Sequence, residues 1–227
     1  MQAKLLTEFA GTFVFLVAIA FSGPSGALAP LVVGLALTAM VYMGGHVSGA
    51  HYNPAVSLAL FLRGVIPALT LVLYWCAQLV AGSLAFAVAF LISGESGGIQ
   101  PGSGVYWYSA LTAEVVFTAA LALVVLNVAA TKETAGNSYY GVAIGFIVAC
   151  GVFVAGPISG GAFNPAVGFS ATLRAALFAH GTWSNLWIYV VGPFAGAGLA
   201  AAIHRLQARP GPVEPELAER EVESPLA

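Results

Sequence analysis

Aspartate is absent from this 227-residue chain, and charged residues make up only 7% of it. Five of its nine glutamates (Glu214, Glu216, Glu219, Glu221 and Glu223) fall in the last fourteen residues, so the 213 residues before them hold only four. A soluble domain draws about a quarter of its residues from the charged types to cover its surface. This chain, 59% apolar and with a mean hydropathy of +0.92, has no such cover. Without Asp there is no Ser-His-Asp set, and no catalytic site is expected. The two cysteines, Cys76 and Cys150, sit in apolar runs without Cys or His companions at ligand spacing, so neither a disulfide framework nor a metal site is expected, and no cofactor. No basic patch points to nucleic acid. The remaining class is an integral protein of the lipid bilayer.

A spanning helix needs about 20 largely apolar residues. Six stretches qualify: 4–22, 30–45, 67–92, 109–129, 139–156 and 184–204, the second and fifth being short for a span. Lys4 ahead of an apolar run, with ALA at 27–29, imitates a secretory leader, but the repeat described below gives the first span a partner and keeps it in the fold. Two shorter apolar pieces, 53–62 and 164–174, each begin with Asn-Pro. Broken helices survive at membrane depth only where protein or a water-filled cavity surrounds them, so both read as re-entrant half-helices.

With a cytoplasmic N-terminus, Lys4, Arg63, Lys132, Arg205, Arg209 and Arg220 fall on the inner side and only Arg174 outside. That asymmetry follows the positive-inside rule and puts both termini in the cytoplasm, with the cell's inner (plasma) membrane as the expected location. Residues 207–227, rich in Pro and Glu, read as a disordered acidic cytoplasmic tail behind a membrane domain at 1–206.

The chain repeats itself. TEFAGTFVFLVAI (7–19) matches AEVVFTAALALVV (113–125), setting Glu8 against Glu114. GLALTAMVYMGGHVSGAHYNPAV (34–56) matches GFIVACGVFVAGPISGGAFNPAV (145–167), and WCAQLVAG (75–82) loosely matches the last span, with Gly82 against Gly196. The halves, about 4–92 and 109–206, each hold three spans, so the second is inserted upside down, an arrangement that places a shared site near the midplane. Asn is a favoured N-cap, and Pro is favoured at the first helical position because its missing N–H would be unpaired there. Asn53-Pro54-Ala55 and Asn164-Pro165-Ala166 therefore start two helices in mid-membrane. Each Asn oxygen caps its helix, leaving the amide NH2 as an outward donor. Two converging helix N-termini carry partial positive charge, which suits a neutral solute with lone pairs and repels a cation.

The motifs EFAGTF, SGAHYNPAV, AQLVAG, SGGAFNPAV and YVVGPFAG, spread over residues 4–206, resemble the aquaporin and glycerol-facilitator family, the major intrinsic proteins. The resemblance implies an all-α integral membrane fold of six transmembrane helices plus two re-entrant half-helices. It also implies a homotetramer and passive conduction of water or small uncharged solutes. Counting from the matching motifs, the family's outer constriction falls on Val33, Val152, Gly161 and Val167. Water-selective members fill this ring with an aromatic residue, His, a small residue and Arg, whereas three Val and a Gly make a wider, more apolar mouth. Val after the second Asn-Pro-Ala is similar to the plant tonoplast intrinsic proteins, some of which pass urea, ammonia and peroxide besides water. An alternative is that Arg174 or His180, from the same outer loop, folds into the mouth and restores polarity.

By the same resemblance, Glu8 and Glu114 bond the backbone of the re-entrant loops, answering the need to satisfy buried N–H groups. Intramembrane carboxylates are also functional suspects by default, which keeps open a secondary transporter using Glu8 and Glu114 for ion coupling. His51 and His46, ahead of the first Asn-Pro-Ala, are candidates for local hydrogen bonding or for gating. His180 and His204 are expected at the membrane interface.

Overall fold

The computed structural model describes residues 1–94 and 96–207. The acidic-tail reading for 207–227 thus falls, except for Gln207, outside the described residues. Among the described residues, eight α-helices follow one another: α1 (Gln2–Ala20), α2 (Ala29–Ser48), α3 (Pro54–Leu62), α4 (Ala68–Ser93), α5 (Trp107–Ala129), α6 (Tyr140–Ser159), α7 (Pro165–Phe178) and α8 (Leu186–Gln207). All but α3 and α7 are long and apolar enough to cross a membrane, giving a multi-pass integral membrane protein.

The two spans that look short in the sequence are full length. Expected at 30–45 and 139–156, they run through Gly-Gly-His-Val and Gly-Pro-Ile to Ser48 and Ser159. Gly and Pro inside an apolar helix are tolerated where neighbours re-satisfy the backbone. Both helices stop where glycine takes the left-handed conformation, at Gly49 (φ 90°) and Gly160 (φ 93°), since only glycine enters it without a Cβ penalty. Likewise α7 extends four residues past its expected end at 174, to Phe178.

Helix packing obeys the inverted repeat. In the first half α1 lies against α2 and α4; in the second α5 lies against α6 and α8. Each half-helix packs across the divide as well as within its own half: α3 touches α8 and α4, and α7 touches α4 and α8. Two contacts pair equivalent helices, α2 with α6 and α3 with α7, and so lie on the axis relating the halves. At the first, Gly34 and Gly145 face each other so closely that a Cβ on Gly34 would stand 2.6 Å from the Gly145 carbonyl oxygen. Small residues that let backbones approach are the usual basis of helix association in lipid.

Gly34→Ala therefore drives a methyl into a backbone oxygen that has no rotamer to escape with. The expected loss is about 1–3 kcal/mol, read as a lower thermal unfolding midpoint of the protein purified in detergent. An unchanged midpoint would contradict this account of the α2–α6 crossing.

Candidate functional site

The two Asn-Pro-Ala segments meet at the centre of the molecule. Asn53 Oδ1 accepts from the Ala55 N–H at 2.8 Å, and Asn164 Oδ1 accepts from the Ala166 N–H at 2.9 Å, so each caps its half-helix, with Pro54 and Pro165 at the first helical position. The amide groups do more than point outward. Asn53 Nδ2 donates to the Phe163 carbonyl at 2.9 Å, and Asn164 Nδ2 donates to the Tyr52 carbonyl at 2.9 Å. One of the two amide hydrogens of each Asn is thus committed to the opposite half, and one is left for the cavity that both residues line.

The loops before the asparagines are strained. Ala50 and Tyr52 in the first, and Gly161 and Phe163 in the second, have φ between 48° and 70°, a region that costs about 1–2 kcal/mol for a residue with a Cβ. Buried carboxylates hold them there. Glu8 Oε1 accepts from Ser48 Oγ (2.7 Å) and the His51 N–H (2.9 Å); its Oε2 accepts from the Tyr52 N–H (2.8 Å) and Gln78 Nε2 (2.9 Å). Glu114 Oε1 accepts from Ser159 Oγ (2.7 Å) and the Ala162 N–H (3.0 Å), and its Oε2 from the Phe163 N–H (2.7 Å). Both glutamates are fully buried. In a trans peptide the C=O is antiparallel to the following N–H, so the carbonyls of Ala50, His51, Gly161 and Ala162 face away from the carboxylates. These four residues all line the central cavities.

Those cavities form a series. A space of about 590 Å³ at the Lys132 end includes His46, Thr131 and Ile144 in its wall. Ile144 is shared with a central space of only about 20 Å³, bounded by both asparagines, His51, Tyr52 and Phe163. Phe15, Val148 and Ala162 then join the centre to a space of about 110 Å³, which opens past Val167 into one of about 550 Å³ at the Arg174 end. A water needs about 10–15 Å³ of such volume, so the centre holds roughly one. Val33, Val152, Gly161 and Val167 all border the 110 Å³ space, with Phe15, Ile19, Ser22 and Ile99.

Arg174 is 9% exposed and lines the wide space beyond, not the one bounded by the four. Its Nε donates to the Gly97 carbonyl at 3.0 Å, Nη2 donates to the same oxygen, and its guanidinium lies 4.8 Å from the Phe86 ring centre. His180 is exposed and borders none of these spaces. Of the other histidines, His51 is buried, with Nδ1 3.0 Å from Ser57 Oγ and its ring edge-on to Tyr74, while His46 is exposed on the last turn of α2. His204, on the last turn of α8, is buried: its Nδ1 accepts from Arg63 Nε at 2.8 Å, and Nε2 lies 2.9 Å from Thr131 Oγ1. Its partners come from the end of α3 and from the α5–α6 connection.

Sequence reasoning passed over several supporting residues. Tyr74 and Tyr189 donate from Oη to the Ser48 and Ser159 carbonyls at 2.8 and 2.6 Å. They are equivalent in role, yet one residue out of step with the Gly82–Gly196 alignment, which hid the match. Ser48 and Ser159 were visible as the repeated Ser-Gly. Gln78, bonded to Glu8 and to Ser57 Oγ at 3.1 Å, has no counterpart in the second half.

Six spans, an inverted repeat and a string of cavities through the middle define a membrane channel. The chain belongs to the major intrinsic protein family, whose pattern it matches over residues 1–204. It is 36% identical over 215 residues to a probable aquaporin TIP2-2 of Oryza sativa subsp. japonica and 34% identical over 220 residues to a probable aquaporin TIP1-1 of the same plant; each match covers 88% of this chain and 85% of the relative. Its fold is similar to that of the aquaglyceroporin from Plasmodium falciparum, with a TM-score of 0.78 at 21% identity, covering 89% of this chain and 94% of that one.

Glu8→Gln replaces one accepting oxygen with a donor aimed at donors. The expected destabilisation is about 3 kcal/mol, with less for Glu114→Gln because three bonds converge there rather than four. Thermal unfolding midpoints in detergent give the order; equal midpoints for both variants and the parent would contradict the support role.

Proposed function

We propose that this chain is a passive channel for water and small uncharged solutes, with ammonia, urea, glycerol and hydrogen peroxide as candidates, and that Val33, Val152, Gly161 and Val167 form its selectivity filter. The observation that carries the reading is the apolar lining of the space these four border, which is several times larger than the space between the asparagines. An Arg at position 167 would add a fixed cation and a fork of donors; Val adds neither. The narrowest point then falls at Asn53 and Asn164, where each amide keeps one hydrogen for a passing lone pair.

Ion coupling through Glu8 or Glu114 is disfavoured, because both oxygens of each already accept bonds from the loops. Of the two candidate histidines, we assign His51 to holding the first loop and leave gating at the wide Lys132-end cavity to His46, which lines it. Lys4, Arg63, Lys132 and Arg205 gather at one end and Arg174 at the other, which supports a cytoplasmic N-terminus. We propose a homotetramer, each protomer with its own pore, on the strength of the family resemblance.

Light scattering on proteoliposomes tests the reading. The wild type is expected to pass urea and glycerol as well as water, with rates indifferent to protonophore or sodium. Val167→Arg is expected to cut urea flux on the order of tenfold while sparing water more. A wild type that passes water alone, or an Arg variant without effect, overturns the wide-filter reading.

A further inference from the structure

At the Lys132 end, two arginines that conduction does not use are drawn to one spot. Arg63 caps the C-terminus of α3, and Arg205 lies in the last turn of α8. Crossed bonds join the two helix ends. Arg63 Nε donates to His204 Nδ1 at 2.8 Å, and Arg205 Nη2 donates to the Leu62 carbonyl at 3.1 Å. Each arginine is thus bonded to the sequence neighbour of the other. The histidine between them is itself held. Thr131 Oγ1 gives its hydrogen to the Leu126 carbonyl, so in its 2.9 Å contact with His204 Nε2 the ring is the donor, which keeps Nδ1 as an acceptor for Arg63.

These bonds use only part of each guanidinium. Among the described residues, both Nη groups of Arg63, and Nε and Nη1 of Arg205, have no hydrogen-bond partner. Neither side chain is sealed in: Arg63 is half-buried and Arg205 exposed. The described carboxylates do not answer the charge. Glu8 and Glu114 are committed to the loops, and Glu133, on the α5–α6 connection, makes no ion pair with either arginine. The helix dipole accounts for a cation at each C-terminus, but not for two guanidiniums at one junction with most of their donors open. The surface leading to that junction is apolar. Ala195, Leu199, Ala202 and Leu206 follow the i, i+4, i+7, i+11 spacing of one face of α8, and all four are exposed. On a spanning helix such a face suits acyl chains, and the arginines stand where it ends.

We propose that Arg63 and Arg205 form a binding site for the phosphate of an anionic membrane phospholipid, whose acyl chains lie along the exposed face of α8. The planar forks of two guanidiniums match phosphate oxygens, and charge-assisted bonds of this kind are the strong ones. His204 and the Leu62 carbonyl already orient both side chains, so less freedom is lost on binding than for an untethered lysine. A zwitterionic headgroup brings an ammonium that the arginines repel. Inorganic phosphate offers the same oxygens with nothing to lay against α8. The five glutamates beyond Gln207 are a rival source of negative charge, but they too leave the apolar face uncovered. The site does not depend on which solutes the pore passes.

Native mass spectrometry of the full chain in detergent, with phosphatidylglycerol or phosphatidylcholine titrated in, reads the lipids bound per protomer. The wild type is expected to hold phosphatidylglycerol on the order of tenfold more tightly than phosphatidylcholine. Arg63→Gln and Arg205→Gln should each weaken phosphatidylglycerol on the order of tenfold and leave phosphatidylcholine unchanged. Lys4→Gln serves as the control, since α1 packs against α2 and α4, and should bind as the wild type does. Arg205 is exposed, so its variant carries the test if Arg63→Gln does not fold. Inorganic phosphate at the concentration of the lipid should not displace it. A wild type without preference overturns the site, and so does an equal loss in Lys4→Gln and Arg205→Gln, which would assign the binding to a diffuse positive field. Displacement by inorganic phosphate makes this a soluble-anion site instead. A preference that emerges only in a chain ended at Gln207 gives the arginines to the glutamates beyond it, and overturns the lipid site as well.

Discussion

Two carboxylates shut away from water fix the shape of this molecule. Irregular backbone at membrane depth needs every N–H satisfied, because lipid offers no partner. Glu8 and Glu114 meet that need at two points and so permit the left-handed residues that reverse the chain after α2 and α6. The reversal aims successive carbonyls at the cavities and sets each Asn at the start of a half-helix. Gly161 and Val167 take their places at the mouth only because the second loop is held in this way. The walls of the central cavities thus depend on carboxylates hidden behind them.

The inverted repeat explains the centre of the molecule better than its ends. On the axis the two halves supply the same parts: a Gly-Gly crossing between α2 and α6, and an Asn from each half-helix. Away from the axis they diverge. Glu8 gains Gln78 and the first loop gains His51 with Ser57, whereas Glu114 has Ser159 and backbone alone. The two matching valines diverge too, since Val56 borders the narrow centre and Val167 the mouth. Equal residues at equivalent positions serve different spaces because the connections around them differ.

Much of this was legible in the residues. Six spans, two half-helices and the pairing of Glu8 with Glu114 and Asn53 with Asn164 come from hydropathy and self-similarity, which report what lipid and an internal axis demand. Helix ends were less legible: Gly-Gly and Gly-Pro look like breaks, yet both helices continue through them to a left-handed glycine. The bonds of His204 were not legible either, because its partners, Arg63 and Thr131, come from distant segments that only the packing unites. The crossed Asn bonds left no mark in the sequence, since each goes to a backbone carbonyl and any residue type carries one. Ile99, on the wall of the 110 Å³ space, was invisible for a related reason, lying in a connection outside the repeat.

Those crossed bonds bear on how the protein comes into being. Asn53 donates to a carbonyl 110 positions further along the chain, and Asn164 donates back across 112. The asparagine cap and the Glu8 anchor lie wholly within the first half, but the amide has no destination without the second loop. Closing the centre is therefore a mutual clasp that neither half performs alone.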